Sequence, residues 1–222
     1  LARICIAIDG PAGAGKSTVA KSISRQLGII YLDTGAMYRT VALKAIRIGI
    51  DTKDAERLAE FVGNIDIRIE YIGNEQRIFL DGNDVTEMIR TPEVSIGASD
   101  VSAVPAVRLK MVELQRDIAQ KNDVVMDGRD IGTYVLPEAR YKFFITASLE
   151  ERAKRRFTEM QTKGVSEVTL DEVMKDIAYR DKNDSTRAFA PLSKATDAME
   201  IDTTELDPQQ VVDKILGRIN NN

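Results

Sequence analysis

Apolar and polar positions alternate on two different periods along this chain. Short apolar runs recur at Ile4–Ile8, Ile29–Leu32, Val124–Met126, Lys142–Thr146 and Met199–Ile201, each followed by turn or helix-starting chemistry. Helical spacing follows the first two runs, at Lys16–Leu27 and at about Gly35–Ile48. Strands alternating with helices predict an α/β fold, a parallel sheet with helices on both faces. One region breaks the rhythm: 65–85 (IDIRIEYIGNEQRIFLDGNDV) has period two, with turn signals at Gly73-Asn74 and Asp81-Gly82. That pattern predicts a small antiparallel β insert on the edge of the α/β core. The stretch 150–164 is densely charged, with Arg152, Lys154, Arg155 and Arg156 after two glutamates, and predicts a mobile, exposed helix.

Composition narrows the partners. A chain of 222 residues suits one domain, with room for insertions. Its net charge of −4 gives no global field favouring nucleic acid or an anionic membrane, so any anion must be held by a local cluster of cations. Cys5 is the only cysteine, so no intrachain disulfide forms, which fits a reducing cytoplasm. No apolar stretch approaches the length of a membrane span, and none reads as a signal peptide. The chain has no histidine, which removes the commonest general base and the commonest zinc ligand together.

The first chemical motif is AIDGPAGAGKSTVAKSI. Gly10, Gly15, Lys16 and Ser17 satisfy G-x4-G-K-[ST] directly between a predicted strand and a predicted helix. The turn Gly10, Pro11, Ala12, Gly13, Ala14, Gly15 lets backbone N–H groups curl around phosphate oxygens, and the helix start at Lys16, Ser17 and Thr18 adds partial positive charge. Lys16 can reach the β and γ phosphates, and the Ser17 hydroxyl can ligate Mg²⁺. This is a nucleoside triphosphate site, and no Asn-Lys-x-Asp motif supports a GTPase. Asp33 and Asp127 both end apolar runs at the predicted C-terminal edge of the sheet. Either can serve as an outer-shell group for the metal or as a helix N-cap.

Arginines gather just past the strand ends: Arg39, Arg129, Arg180 and Arg187. The spacing of Arg180, Asp184 and Arg187 puts them on one helical face as a ligand-facing row, with Lys182 and Asn183 turned to solvent. A kinase acting on a phosphate monoester needs no general base, because that phosphate, with a second pKa of about 6, is ionised at neutral pH. It needs cation density to offset the repulsion between two anions, which clustered arginines supply.

The chain resembles the bacterial cytidylate kinases over nearly its whole length, in IDGPAGAGKST, YLDTGAMYR, ASDVSAVPAVR, VVMDGRDIGT and RDKNDSTRAFAPLSKATDA. The resemblance implies a P-loop core over about 1–35, 100–147 and 167–222, a monophosphate-binding region over about 36–99 that includes the β insert, and a helical lid over about 148–166. It implies transfer of the ATP γ-phosphoryl group to CMP and dCMP with Mg²⁺, by a cytoplasmic monomer with no nucleic-acid or membrane partner. By position, Arg39, Arg129, Arg180 and Arg187 grip the acceptor phosphate or bridge both phosphates. Asp184 meets the ribose, Thr34 lies near the nucleotide, and Ser99, Arg108 and Asp130 read the cytosine edge. A carboxylate there would accept from the cytosine N4 amino group and repel uracil. Of the lid arginines Arg152, Arg155 and Arg156, the last is preferred for the triphosphate. The alternatives are a P-loop kinase for another small acceptor, UMP or an alcohol, and a nucleotide-sensing module.

Overall fold

A computed structural model describes residues 3–73, 75–162, 164 and 167–221. The chain runs through β1 (Cys5–Asp9), α1 (Lys16–Leu27), β2 (Ile30–Asp33), α2 (Thr34–Arg47), α3 (Ala55–Val62), β3 (Ile67–Ile72), β4 (Glu75–Leu80) and β5 (Asn83–Asp84). A 3-10 turn at Met88–Arg90 leads to α4 (Pro92–Val101) and α5 (Pro105–Lys121). Then come β6 (Val124–Gly128), a π-helical turn (Ile131–Val135), β7 (Tyr141–Thr146), α6 (Leu149–Thr162), α7 (Leu170–Thr186), β8 (Met199–Asp202) and α8 (Pro208–Asn220).

The five long-predicted strands form one parallel sheet in the order β2-β6-β1-β7-β8. Alternation of side chains along each strand explains why both faces are covered. From β1, Ala7 points with Leu32 and Met126 into a core shared with Met37, Val41, Val107 and Met111 of α2 and α5. Ile6 and Ile8 point the other way, with Val125, Phe143 and Ile145, against Val19 and Ile23 of α1 and Val211 and Ile215 of α8. Because β6 lies between β1 and β2, the chain leaving β1 crosses over β6, and a crevice opens beyond the carboxyl ends of these three strands. Asp9, Asp33 and Asp127 all stand at that edge: Asp33 is in register with Asp127, and Asp9 with Gly128.

The insert is a three-stranded antiparallel sheet, β3-β4-β5, in the predicted place. Ile67, Ile78 and Leu80 turn one face into the α2 core, while Ile72 at its tip is exposed. Two bonds tie it to the main sheet: Gln76 Oε1 accepts from the Asp33 N–H (2.8 Å), and the Tyr71 hydroxyl donates to the Tyr31 carbonyl (3.2 Å). Asn74, half of the first predicted turn, lies outside the described residues, as do positions 163, 165 and 166 at the predicted lid's end.

Two expectations need correction. The charged stretch forms α6, but it is not exposed all round. Ala153, Phe157 and Met160 recur at helical spacing and pack with Val173 and Ile177 of α7 in a small core of their own. The helix bearing Arg180 and Asp184 stops at Thr186, and Arg187 has extended backbone (φ −61°, ψ 140°), so it lies beyond the helical row. Its guanidinium folds back, donating to the Ala190 carbonyl (2.8 Å) and reaching Asp184 at 3.5 Å.

Candidate active site

The turn after β1 leaves no room for a side chain at its start. A Cβ on Gly10 would lie 1.9 Å from the Ile145 carbonyl oxygen, so glycine alone permits this approach to β7. Gly15, at φ 88°, ends the turn in the left-handed region and caps α1 without any side-chain bond, which leaves the first helical N–H groups free for a ligand. The turn is braced from outside. Asp181 Oδ1 accepts from the Ala12 N–H (3.1 Å), while Arg152 Nη1 donates to the Ala12 carbonyl (2.9 Å) and to Asp181 Oδ2 (2.5 Å).

Lys16 is almost fully buried, with Nζ donating to the Pro11 carbonyl at 2.6 Å. Burial, then the Arg129 charge, pull its pKa down to about 7. The Ser17 hydroxyl donates to Asp127 Oδ2 and the Tyr31 hydroxyl to Asp127 Oδ1, both at 2.8 Å. Burial and the neighbouring Asp33 raise the Asp127 pKa. Asp33 itself caps α2, accepting from the Ala36 N–H, and pairs with Arg39 Nη2 at 2.8 Å. Of the two carboxylates left open by the sequence, Asp127 is thus the one on Ser17. Thr34 faces the same space, but its hydroxyl donates to the Asp127 carbonyl (2.6 Å).

Beyond the phosphate turn runs a buried chain of alternating charges: Arg108, Asp130, Arg187, Asp184, Arg129. Arg108 Nη2 pairs with Asp130 Oδ2, Arg187 Nη2 lies 3.3 Å from Asp130 Oδ1, and Arg129 Nε donates to Asp184 Oδ2 at 2.6 Å. Burial alone would raise the Asp184 pKa, but Arg129 and Arg187 outweigh it and hold it low. Arg180, on the same helix, has no such partner at Nε, and burial with the Arg129 charge lowers its pKa to about 10. Arg39 and Arg108 also keep a buried, unbonded Nε. Around Lys16 and Arg180, burial and neighbouring cations outweigh the carboxylates, whereas Asp130 and Asp184 hold Arg108 and Arg129 firmly charged.

Every candidate site residue named from the sequence except Gly10, Pro11 and Arg152 lines one cavity of about 1080 Å³. Pro11 and Gly10 shape the turn from behind. Arg152 is committed to Ala12, whereas Arg155 and Arg156 face the cavity, Arg155 held by Glu151 and Thr203 and Arg156 by Glu159. Asn183 is not turned to solvent: its amide reaches the Ser99 hydroxyl at 3.4 Å. Sequence reasoning missed Asp9, which is buried and accepts from the Ile131 and Gly132 N–H groups at 2.8 and 2.7 Å. Burial raises its pKa to about 6. It also missed Tyr38, whose ring covers the Arg108 guanidinium at 5.5 Å, and Gln115, buried in the same wall with neither amide atom bonded. The only hint of Gln115 was its place seven residues after Arg108, on the same helical face.

The cytidylate kinase family model matches residues 6–221 of this chain. The chain belongs to the cytidylate kinase family. It is 54% identical to a cytidylate kinase of Desulfitobacterium hafniense, over 97% of this chain and 92% of that one. It is 52% identical to a cytidylate kinase of Limosilactobacillus fermentum, over 97% and 95%. An uncharacterized protein from Eubacterium ventriosum shares the fold at 16% identity, with a TM-score of 0.53 over the full length of both chains. Family membership makes the chain a kinase, a phosphotransferase of the P-loop type. Among the described residues no helix is long and apolar enough to cross a membrane.

Proposed function

We propose that this cytidylate kinase family member transfers the γ-phosphoryl group of ATP to CMP and dCMP, giving ADP and the corresponding diphosphate. The observation that carries this reading is the uncompensated cation cluster beside the phosphate turn. Burial and the Arg129 charge lower the pKa of both Lys16 and Arg180, and Arg39 and Arg180 keep unbonded donors there. Such a cluster is relieved by anions, and the cavity is large enough for a donor triphosphate and an acceptor phosphate together.

In this reading the glycine turn and Lys16 hold the donor phosphates, and Arg156 reaches them from α6. Arg39, Arg129, Arg180 and Arg187 hold the acceptor phosphate in line and offset the repulsion between the two anions. The acceptor oxygen is already ionised, so no side chain needs to remove a proton. Asp184 accepts from the ribose, with Thr34 beside it. Ser99, Arg108 and Asp130 meet the base, where a carboxylate suits the cytosine N4 amino group. The oxygen-only set of Ser17 and Asp127 suits Mg²⁺. When bound, the ion neutralises charge on the donor phosphates.

We assign the core, the monophosphate-binding region and the lid over the spans that the resemblance implies, taking α6 as the lid. We read the protein as a monomer in a reducing, cytoplasmic setting, which a chain with a single cysteine suits. The test is release of ADP from MgATP with CMP, dCMP, UMP, AMP or no acceptor. Turnover that depends on CMP and dCMP is expected, and equal release in every tube would remove the reading.

A further inference from the structure

Gln115 is almost fully buried, at 1% exposure, and neither its amide nitrogen nor its amide oxygen has a partner. Most buried polar side chains are bonded, so an amide with both ends open in a cavity wall is waiting for a group that enters the cavity. Its location says which group. Arg108 and Gln115 are separated by two turns of α5 and share its buried face. Both line the cavity, together with Tyr38, Ser102 and Asp130. The C-terminal half of α5 is fixed in place, since Arg116 donates to the Tyr134 and Val135 carbonyls at 2.7 and 2.9 Å. The amide therefore projects from a rigid wall and not from a loop.

We propose that Gln115 is a specificity-determining residue for the acceptor base, donating its Nε2–H to the ring acceptor edge of cytosine and so setting the preference for cytosine over uracil. This rests on the CMP reading above. An amide can rotate to offer either end, so discrimination needs something to fix it. The Tyr38 hydroxyl lies beside the Gln115 amide. Burial raises the Tyr38 pKa to about 12 despite the neighbouring Arg108, so the hydroxyl keeps its proton and can hold Oε1. That leaves Nε2–H for the ligand. Cytosine N3 accepts such a bond, whereas uracil N3 carries a hydrogen and would force the amide to turn over.

The experiment compares kcat/KM for CMP and for UMP in the wild-type enzyme, in Gln115→Met, which keeps the length without the amide, and in Tyr38→Phe. Gln115→Met should lower the CMP to UMP ratio by about tenfold, the worth of one lost hydrogen bond, with KM for ATP unchanged. Tyr38→Phe should lower the same ratio by raising use of UMP. A ratio equal to wild type in Gln115→Met overturns the proposal, whether or not overall turnover or melting temperature falls, because a water-filled or structural amide would change only those. If Gln115→Met does not fold, Gln115→Asn draws the amide back by one methylene and is read by the same ratio. Wild-type turnover of CMP is measured first. Its absence removes the CMP reading, and an unchanged ratio with wild-type turnover intact removes only the role of Gln115.

Discussion

Removing the Asp130 carboxylate strands one buried cation and leaves a second with a single, longer pairing. The side chains of Arg108 and Arg187 are 1% and 2% exposed, and Asp130 is the carboxylate nearest to each. In Asp130→Ala, Arg108 would keep a 3.3 Å contact to the Ser102 carbonyl and the Tyr38 ring, beside an Nε already unbonded. Arg187 would keep the Ala190 carbonyl and the 3.5 Å approach to Asp184. Deleting one partner of a buried ion pair costs about 3–5 kcal/mol. For a chain of this length each kcal/mol lowers the melting temperature by about 2–4 °C, so a drop of roughly 6–20 °C is expected. Thermal unfolding followed by circular dichroism measures it. The double variant Arg108→Met/Asp130→Leu removes the cation that Asp130→Ala strands, while Arg187 keeps Asp184 in both, and should melt above the single variant. Asp130→Ala melting within about 2 °C of wild type would refute the reasoning, since a stranded buried guanidinium could not go unnoticed.

Other outcomes follow from the same contacts. Asp184→Ala should impair use of CMP more than of dCMP, because only the ribonucleotide loses a 2′-hydroxyl partner; equal losses would count against ribose contact. With its pKa pulled down to about 7 by burial and the Arg129 charge, Lys16 is partly deprotonated at pH 7.5, and donor phosphates should restore the proton. Binding of ATP to the wild type should therefore take up more protons than binding to Lys16→Met, as read by calorimetry in two buffers of different ionisation enthalpy. An identical uptake in both proteins would contradict the assignment. Arg152→Met frees one side of the phosphate turn at Ala12 without touching the cavity, and should raise KM for ATP while KM for CMP stays put. A selective rise in KM for CMP would show that the brace acts elsewhere.

The strands and the phosphate turn were legible because their signals are local. An apolar run closed by an aspartate predicts a strand and its edge, and the glycine spacing before Lys16 predicts the turn with its chemistry. The arginines were legible through the family resemblance, and the structure brings them to one cavity. What escaped was decided by contacts distant in sequence. The Ala153–Phe157–Met160 stripe is hidden among charges and matters only because Val173 and Ile177 lie opposite. Arg187 leaves the helical row because the helix stops one residue before it. Asn183 meets Ser99 and Gln115 faces Tyr38, pairings that no periodicity in the chain encodes.

The central claim is that two nucleotides share this cavity and that the terminal phosphoryl group passes directly from one to the other. Incubation with ATP labelled in its γ-phosphate, CMP and Mg²⁺, followed by separation of the nucleotides, tests it most directly. The account predicts the label in the β-phosphate of CDP, in step with the ADP formed. Label released only as inorganic phosphate, at a rate indifferent to CMP, would contradict it.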